Sequence, residues 1–354
     1  MDKKRKKLPA PQDVRNILII NLGGLGDFLL SEPALCALRA FYRNARIVLW
    51  CIPRAAQFAQ DCPCIDEVVF FDFRMISTLR TLFYLRQREF ELVLNMRSIH
   101  SWASAFKMAA IFHLLKAGCR IGRDTDGRGF FFDIRIPETI KGRMPEYQYD
   151  LNTVKALGID AQYRRPQISI SAGDNAYIHG LLSECGINDA DILVGVNPST
   201  PVLSRQWPAE NFAAAINRLQ EMIKCKIVIT GFRGTEPAVM RFKEMLKAEP
   251  VNLAGKTTIK QLAVLIKRCN LYITNDTGSM HIASVLDVPQ IALFGPGDLA
   301  RFDPRHISDK AAVFYSYPAC GPCYNSACES RSCFRDIRPD AVAEAAVTIL
   351  GKKC

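Results

Sequence analysis

The chain of 354 residues contains no uninterrupted apolar run approaching the 18 or more residues that a membrane-spanning helix needs. It also lacks the pattern of a secretory leader. After the basic start Met1-Asp2-Lys3-Lys4-Arg5-Lys6-Lys7, the apolar residues are soon broken by Asn16, Asn21 and Asp27. A cytoplasmic location is therefore expected. No internal repeat is visible, so a fibrous repeat is excluded. No RNA- or DNA-reading motif gives the net charge of +11 a nucleic-acid partner. A further absence bears on chemistry. The first glycine-rich turn, Gly23-Gly24-Leu25-Gly26, lacks the third glycine of G-x-G-x-x-G, and Asp27 stands where a pyrophosphate would rest. That argues against a nicotinamide-dependent oxidoreductase.

What is present is ordinary globular composition, 49% apolar and 23% charged. The length suits two domains. Residues 1–13 read as a basic flexible tail; attraction to an anionic inner-leaflet surface, worth about 1 kcal/mol per Lys or Arg, is the functional alternative to a solvated tail. Residues 74–116 mix basic side chains (Arg80, Arg86, Arg88, Arg97, Lys107) with bulky apolar ones (Leu82, Phe83, Trp102, Phe106, Phe112). Amphipathic helices covering a sheet account for this, with a lipid- or acceptor-facing surface as the sharper alternative. Of thirteen cysteines, nine are scattered or terminal and read as small packing hydrophobes.

Short β-branched runs alternate with amphipathic helical segments. Strands are expected at 16–20, 46–50, 67–71 and 91–95, then again at 191–197, 226–230, 251–253, 271–274 and 290–294. Helices are expected at 27–42, 208–223, 235–248 and 258–269. Continuous apolar strands separated by helices indicate parallel sheets buried on both faces. The expectation is two Rossmann-like doubly wound α/β domains, 1–172 and 173–354, facing a central cleft where ligands meet the carboxyl ends of the strands.

Four motifs stand at such positions. Asp27, after Gly23, Gly24 and Gly26, suits a general base, and a helix cap equally. Thr274-Asn275-Asp276-Thr277-Gly278-Ser279-Met280-His281 opens a helix whose free N–H groups and dipole favour phosphate, with His281 one turn beyond Thr277. Asn197, Ser199 and Thr200 end another strand, and Arg205 follows as a candidate phosphate ligand; a polar loop before Pro208 is the plainer reading. Cys320, Cys323, Cys328 and Cys333 have knuckle-like spacing that could hold a structural zinc, or could be reduced thiols packing a loop.

The ordered set resembles glycosyltransferase family 9, the bacterial lipopolysaccharide core heptosyltransferases. The resemblance rests on Leu22–Asp27 with Glu32-Pro33-Ala34-Leu35, Arg205-Gln206-Trp207-Pro208, Asn252–Thr257, Asn275–Ala283 and Pro289 through Leu293-Phe294-Gly295-Pro296, collinear over about residues 15–350. It implies a GT-B fold and an inverting, metal-independent transfer of heptose from ADP-heptose to a lipid A–core acceptor, with no cofactor. It also implies a C-terminal donor domain and an N-terminal acceptor domain. By the same carry-over Asp27 is the base on the acceptor side, with Gly23, Gly24 and Gly26 around it. Arg205 meets the donor phosphates, and Asp276, Thr277, Gly278 and His281 meet donor sugar and diphosphate. Asn197, Ser199, Thr200 and Ser279 are donor-side candidates from their own chemistry at the strand end and helix start, apart from the resemblance. The sequence departs from the family at Arg205, where lysine is common, and at Gly297, where threonine is usual. Another nucleotide sugar or cell-envelope acceptor stays open, as does a non-catalytic GT-B-like protein with a zinc-binding module. Implied partners are the nucleotide sugar, the lipid-linked core oligosaccharide and the anionic inner membrane, without nucleic acid.

Overall fold

The computed structural model describes residues 8–351 apart from Phe73, Pro318, Tyr324, Ser326, Ala327 and Glu329, so the basic residues 1–7 lie outside the described residues. The chain divides into two compact units, Met1–Gln167 and Ile168–Cys354. In the first, the elements are β1 (Asn16–Asn21), α1 (Leu25–Phe41), β2 (Arg46–Cys51), α2 (Pro53–Ala59), β3 (Glu67–Phe70), α3 (Met75–Arg86), β4 (Leu92–Asn95), α4 (Trp102–Leu114), β5 (Cys119–Thr125), β6 (Ile134–Glu138) and α5 (Glu146–Lys155). The second runs α6 (Ala172–Glu184), β7 (Leu193–Asn197), α7 (Ala209–Met222), β8 (Lys226–Ile229), α8 (Glu236–Glu244), β9 (Val251–Asn252), α9 (Ile259–Arg268), β10 (Leu271–Asn275), α10 (Gly278–Val285), β11 (Gln290–Phe294), α11 (Leu299–Phe302), β12 (Ala311–Tyr315) and α12 (Pro339–Gly351).

Each unit is built on a six-stranded sheet, ordered β3-β2-β1-β4-β5-β6 and β12-β11-β10-β7-β8-β9, with every neighbouring pair parallel. The chain therefore starts in mid-sheet, works outward to one edge, and returns to build the other half. β1 abuts β4 in the first sheet and β7 abuts β10 in the second. These are the switch points, where connections leave in opposite directions and open a crevice beyond the strand ends.

Alternation along each strand explains the layers. In the second unit Val194, Val196, Ile227, Ile229, Ile273, Ile291 and Leu293 pack with Phe212, Phe242 and Val342 on one face. Leu193 and Val228 point the other way, against Ile178 and Leu182 of α6 and Leu265 of α9. In the first unit Leu18, Ile20, Val48, Trp50 and Val93 meet Leu82, Leu85, Ala105 and Phe112 of α3 and α4. Ile17, Ile19, Ile47 and Leu49, on the opposite face, are equally buried. Strands buried on both sides read as unbroken apolar runs, which is why those at 16–20, 46–50 and 290–294 are legible. β5, β6 and β12 were not expected. β5 carries Arg120, Arg123 and Asp124, and those charges mask a strand whose polar residues are answered by partners far along the chain.

The cysteines divide. Cys51, Cys225 and Cys269 are buried or half-buried, and desolvation pushes their thiols up to about 12, about 11 and about 12, as suits packing residues. Cys36 and Cys64, also expected to be packing residues, instead form a disulfide with Cα atoms 5.1 Å apart, joining α1 to the loop before β3. Twenty-eight residues separate them in sequence, so composition gives no hint of the pairing.

The second core centres on Phe212, fully buried with its ring 4.9 Å from Trp207 and 6.1 Å from Phe242. Phe212→Ala should lower unfolding free energy by about 3–5 kcal/mol through lost burial and a residual cavity, measurable by urea denaturation.

Candidate functional site

At the first switch point β1 ends in Asn21, and the chain turns through Leu22-Gly23-Gly24 into α1. Asn21 fixes the turn: its Oδ1 accepts the Gly23 N–H at 3.2 Å while its Nδ2 donates to Ser31 Oγ at 3.1 Å. Gly24 is the N-cap, Gly26 lies buried in the first helical turn, and Asp27 occupies the third helical position. The Gly24 N–H donates to Asp27 Oδ2 at 2.6 Å, so Asp27 does cap the helix, from inside rather than from the N-cap position. A Cβ on Gly23 would lie 2.6 Å from the Asp27 Cβ, so this close approach admits only glycine.

The other carboxylate oxygen of Asp27 takes an ion pair from Arg97, two residues past the end of β4. Arg97 also reaches Glu146 Oε1 at 3.1 Å. Behind them lies Arg123 of β5, wholly buried, which pairs with Glu138, with Glu146 at 2.6 Å and with Asp150 at 3.3 Å. Its guanidinium also stacks 4.6 Å from the Tyr149 ring centroid. Burial opposes the Arg123 charge, yet the carboxylates of Glu146, Glu138 and Asp150 hold its pKa well above the usual value. Asp150 is pushed well above the carboxylate range, first by desolvation and further by the Glu146 charge, with Arg123 pulling the other way. Asp27 and Arg97 are thus the outer members of a chain of charges that runs into the interior, their side chains 15% and 21% exposed while Arg123 is fully enclosed. Of this chain only Asp27 was singled out from sequence as a site residue. Arg97 was recognisable in principle from its place after a strand adjoining β1; Glu138, Glu146 and Asp150 lie on elements whose pairing with β5 only the fold reveals.

At the second switch point β7 and β10 end side by side in Asn197 and Asn275. Asn197 Nδ2 donates to Ser279 Oγ at 2.9 Å, and its Oδ1 accepts from the Ser199 N–H at 3.2 Å and hydroxyl at 3.0 Å. Asn275 Oδ1 accepts the Trp207 N–H at 2.9 Å, tying the Arg205-Gln206-Trp207-Pro208 segment to the strand end. Thr277 is the N-cap of α10, and its hydroxyl lies 2.9 Å from Ser279 Oγ. Gly278, Ser279 and His281 form the first turn, with His281 buried and its ring 6.0 Å from Phe302. Arg205 Nη1 approaches Asp276 Oδ2 to 3.2 Å without hydrogen-bond alignment, and the arginine remains partly exposed. Asn197, Ser199, Thr200, Arg205, Asp276, Thr277, Gly278, Ser279 and His281 therefore all belong to this one unit, the strand-end residues directly hydrogen-bonded across β7 and β10. Buried hydroxyls, the N-terminus of α10 and the partly exposed Arg205 suit a polyanionic ligand.

Gly297 has a local reason. A Cβ built there would overlap the Asp276 carboxylate. The threonine usual at this position would demand that Asp276 move, so glycine here and the inward Asp276 go together.

Cys333 is buried and its thiol is raised by desolvation, with Cys320, Cys328 and Cys323 adding to the shift. Among the described residues these four sulfurs do not gather into a set of mutually close ligand atoms. No helix among the described residues is long and apolar enough to cross a membrane.

The Asp150 shift has a thermodynamic consequence. A carboxyl whose pKa is raised on folding stabilises the fold fully below its unfolded value, and that contribution is lost as pH climbs through the folded one. Asp150→Asn, which keeps a neutral acceptor for Arg123, should gain stability relative to the native chain as pH rises from about 4. Paired urea titrations across pH check this; a pH-independent difference would contradict it.

The sequence pattern of glycosyltransferase family 9 (heptosyltransferase) matches residues 79–333. Lipooligosaccharide heptosyltransferase 2 of Campylobacter jejuni is 25% identical over 335 residues, spanning 90% of this chain and 94% of that protein. Lipopolysaccharide heptosyltransferase 2 of Salmonella typhimurium is 26% identical, spanning 84% of this chain and 87% of its own. Among solved structures, a family 9 glycosyltransferase from Veillonella parvula superposes with a TM-score of 0.77 at 23% identity, covering 96% of this chain and 98% of the other. ADP-heptose lipopolysaccharide heptosyltransferase II of Escherichia coli superposes with a TM-score of 0.74 at 22% identity, covering 96% and 99%. Two parallel α/β units with ligand-ready switch points, and a family pattern spanning most of the chain, lead to one conclusion: this is a GT-B-fold glycosyltransferase belonging to glycosyltransferase family 9, the heptosyltransferases.

Proposed function

We propose that the enzyme transfers heptose from ADP-heptose to a lipopolysaccharide inner-core or lipid A acceptor, by direct displacement with inversion and without a catalytic metal. The observation that carries this reading is the division of charge between the two switch points. The first unit presents a carboxylate on a glycine turn; the second presents a cation and a helix N-terminus. A glycosyl transfer needs a base for the acceptor hydroxyl and positive charge for the departing diphosphate. Asp27 would take the proton as the hydroxyl attacks the anomeric carbon. The C–O bond to the diphosphate breaks on the opposite face, so a single displacement inverts the anomeric centre. Arg205 and the N–H groups opening α10 would receive the charge of the leaving ADP, which removes the need for a divalent cation. The donor is supported by relatives: a heptosyltransferase from E. coli has been solved with ADP-2-deoxy-2-fluoro heptose, and superposes on this chain with a TM-score of 0.64.

For its base role Asp27 must part from Arg97, and the Gly24 N–H keeps the carboxylate in place while it does so. Asp27→Asn retains an oxygen acceptor for that N–H, so the fold and donor binding should persist. Its turnover should fall by about 10²–10⁴-fold. Calorimetry with ADP-heptose beside UDP-glucose, and transfer assays with and without added Mg²⁺, test the proposal together. Tighter binding of UDP-glucose would reassign the donor, near-native turnover of the variant would remove Asp27 from the chemistry, and stimulation by Mg²⁺ would overturn the metal-free step.

The acceptor's lipid nature gives a meaning to an exposed face of the first unit. Met75, Ile76, Leu79 and Phe83 lie along one side of α3, and Trp102 and Phe106 of α4 pack against the Phe130 ring, all exposed. Arg74, Arg80, Arg86 and Lys107 stand exposed among them. Apolar side chains rimmed by cations suit the cytoplasmic face of an anionic bilayer. The native chain should float with phosphatidylglycerol-containing vesicles, and Ile76→Asp with Phe83→Asp should abolish most of that association; unchanged flotation would discard this surface.

A further inference from the structure

Outside the transfer site, three sulfurs and a carboxylate converge where no part of the proposed mechanism needs them. Glu32 and Cys36 are four residues apart on α1 and so share a face one turn apart. Cys62 and Cys64 flank Pro63 in the loop between α2 and β3. One ligand atom from each of the four lies within 4.8 Å of all the others. Tetrahedral zinc, with bonds of about 2.3 Å to sulfur and 2.0–2.2 Å to oxygen, sets its ligand atoms roughly 3.5–3.8 Å apart, so small side-chain shifts would close the shell.

We propose that Glu32, Cys36, Cys62 and Cys64 form a binding site for a thiophilic divalent cation such as zinc, and that the Cys36–Cys64 disulfide is the oxidised, metal-free state of that site. Three features favour a metal over a disulfide alone. A disulfide uses two cysteines, whereas Cys62 is a third, buried against the same pair. Glu32 Oε1 lies 3.4 Å from Cys36 Sγ and is held by Arg164 Nη2 at 2.5 Å, with the Gln167 backbone also facing the carboxylate. Arg164 thus stands where an outer-shell partner orients a ligating carboxylate and offsets its negative charge. Finally, Glu32 Oε2 is buried with no donor in bonding geometry, a costly arrangement that a cation would relieve. Thiolate sulfur selects zinc over magnesium or calcium.

Opening the site takes two electrons. A trialkylphosphine supplies them: the S–S bond becomes two thiols and the phosphine takes up oxygen from water as its oxide. Zinc then displaces the thiol protons of Cys36, Cys62 and Cys64. Bound there, it would clamp α1, the helix that carries Asp27 at its start, to the loop leading into β3.

The experiment titrates the full chain with cobalt and then zinc, following thiolate-to-cobalt absorption, and confirms stoichiometry by elemental analysis. Cys320, Cys323, Cys328 and Cys333 are changed to serine in every sample so that they contribute no metal. Reduced protein should bind one equivalent; oxidised protein should bind none. Cys62→Ser should lose the equivalent, and Arg164→Met should weaken binding about 10–100-fold. Equal uptake by reduced and oxidised protein, or by reduced protein with and without Cys62, would overturn the proposal. Should Cys62→Ser fail to fold, the reduced-against-oxidised comparison decides alone.

Discussion

A parallel sheet covered on both faces leaves its polar chemistry only one outlet, the ends of its strands. The placement of the candidate transfer residues follows from that constraint. The sheets are sealed by apolar side chains above and below, so Asn21, Asn197 and Asn275 are polar only because each ends a strand beside a switch point. Their amides pin the turns that follow the strands.

The two switch points solve opposite electrostatic problems. In the first unit the Asp27 carboxylate belongs to a graded series of charges, from partly exposed Asp27 and Arg97 to enclosed Arg123. Burying Arg123 is tolerable because Glu138 and Glu146 answer it, with Asp150 beside them pushed toward its neutral form; removing Arg123 would leave buried carboxylates without their counter-charge. In the second unit positive potential comes largely from backbone, the open end of α10, with Arg205 as an adjustable supplement. A carboxylate pressed against a glycine recurs in both: Asp27 against Gly23 and Asp276 against Gly297. In each case the missing side chain is the space that the carboxylate occupies.

Helix α1 has a double load. Its first turn carries Asp27, and further along it Glu32 and Cys36 face the 60–66 loop. The proposed base and the proposed metal site thus share one helix.

The sequence by itself determined the strands that are apolar on both faces, the two-fold recurrence of the α/β pattern, and the strand-end motifs, Asp27 and Arg205 to His281 among them. Those signals are local: a run of β-branched residues, or glycines before a helix, means the same wherever it is placed. Tertiary structure alone decided that β5 is a strand in spite of its charges, that Arg97 meets Asp27 across 70 residues, and that Gly297 makes room for Asp276. It also decided that Cys36 finds Cys64 rather than packing as a hydrophobe. In each of these the partner is distant in the chain, and a buried charge or thiol shows its role only once the groups that desolvate and answer it are in place.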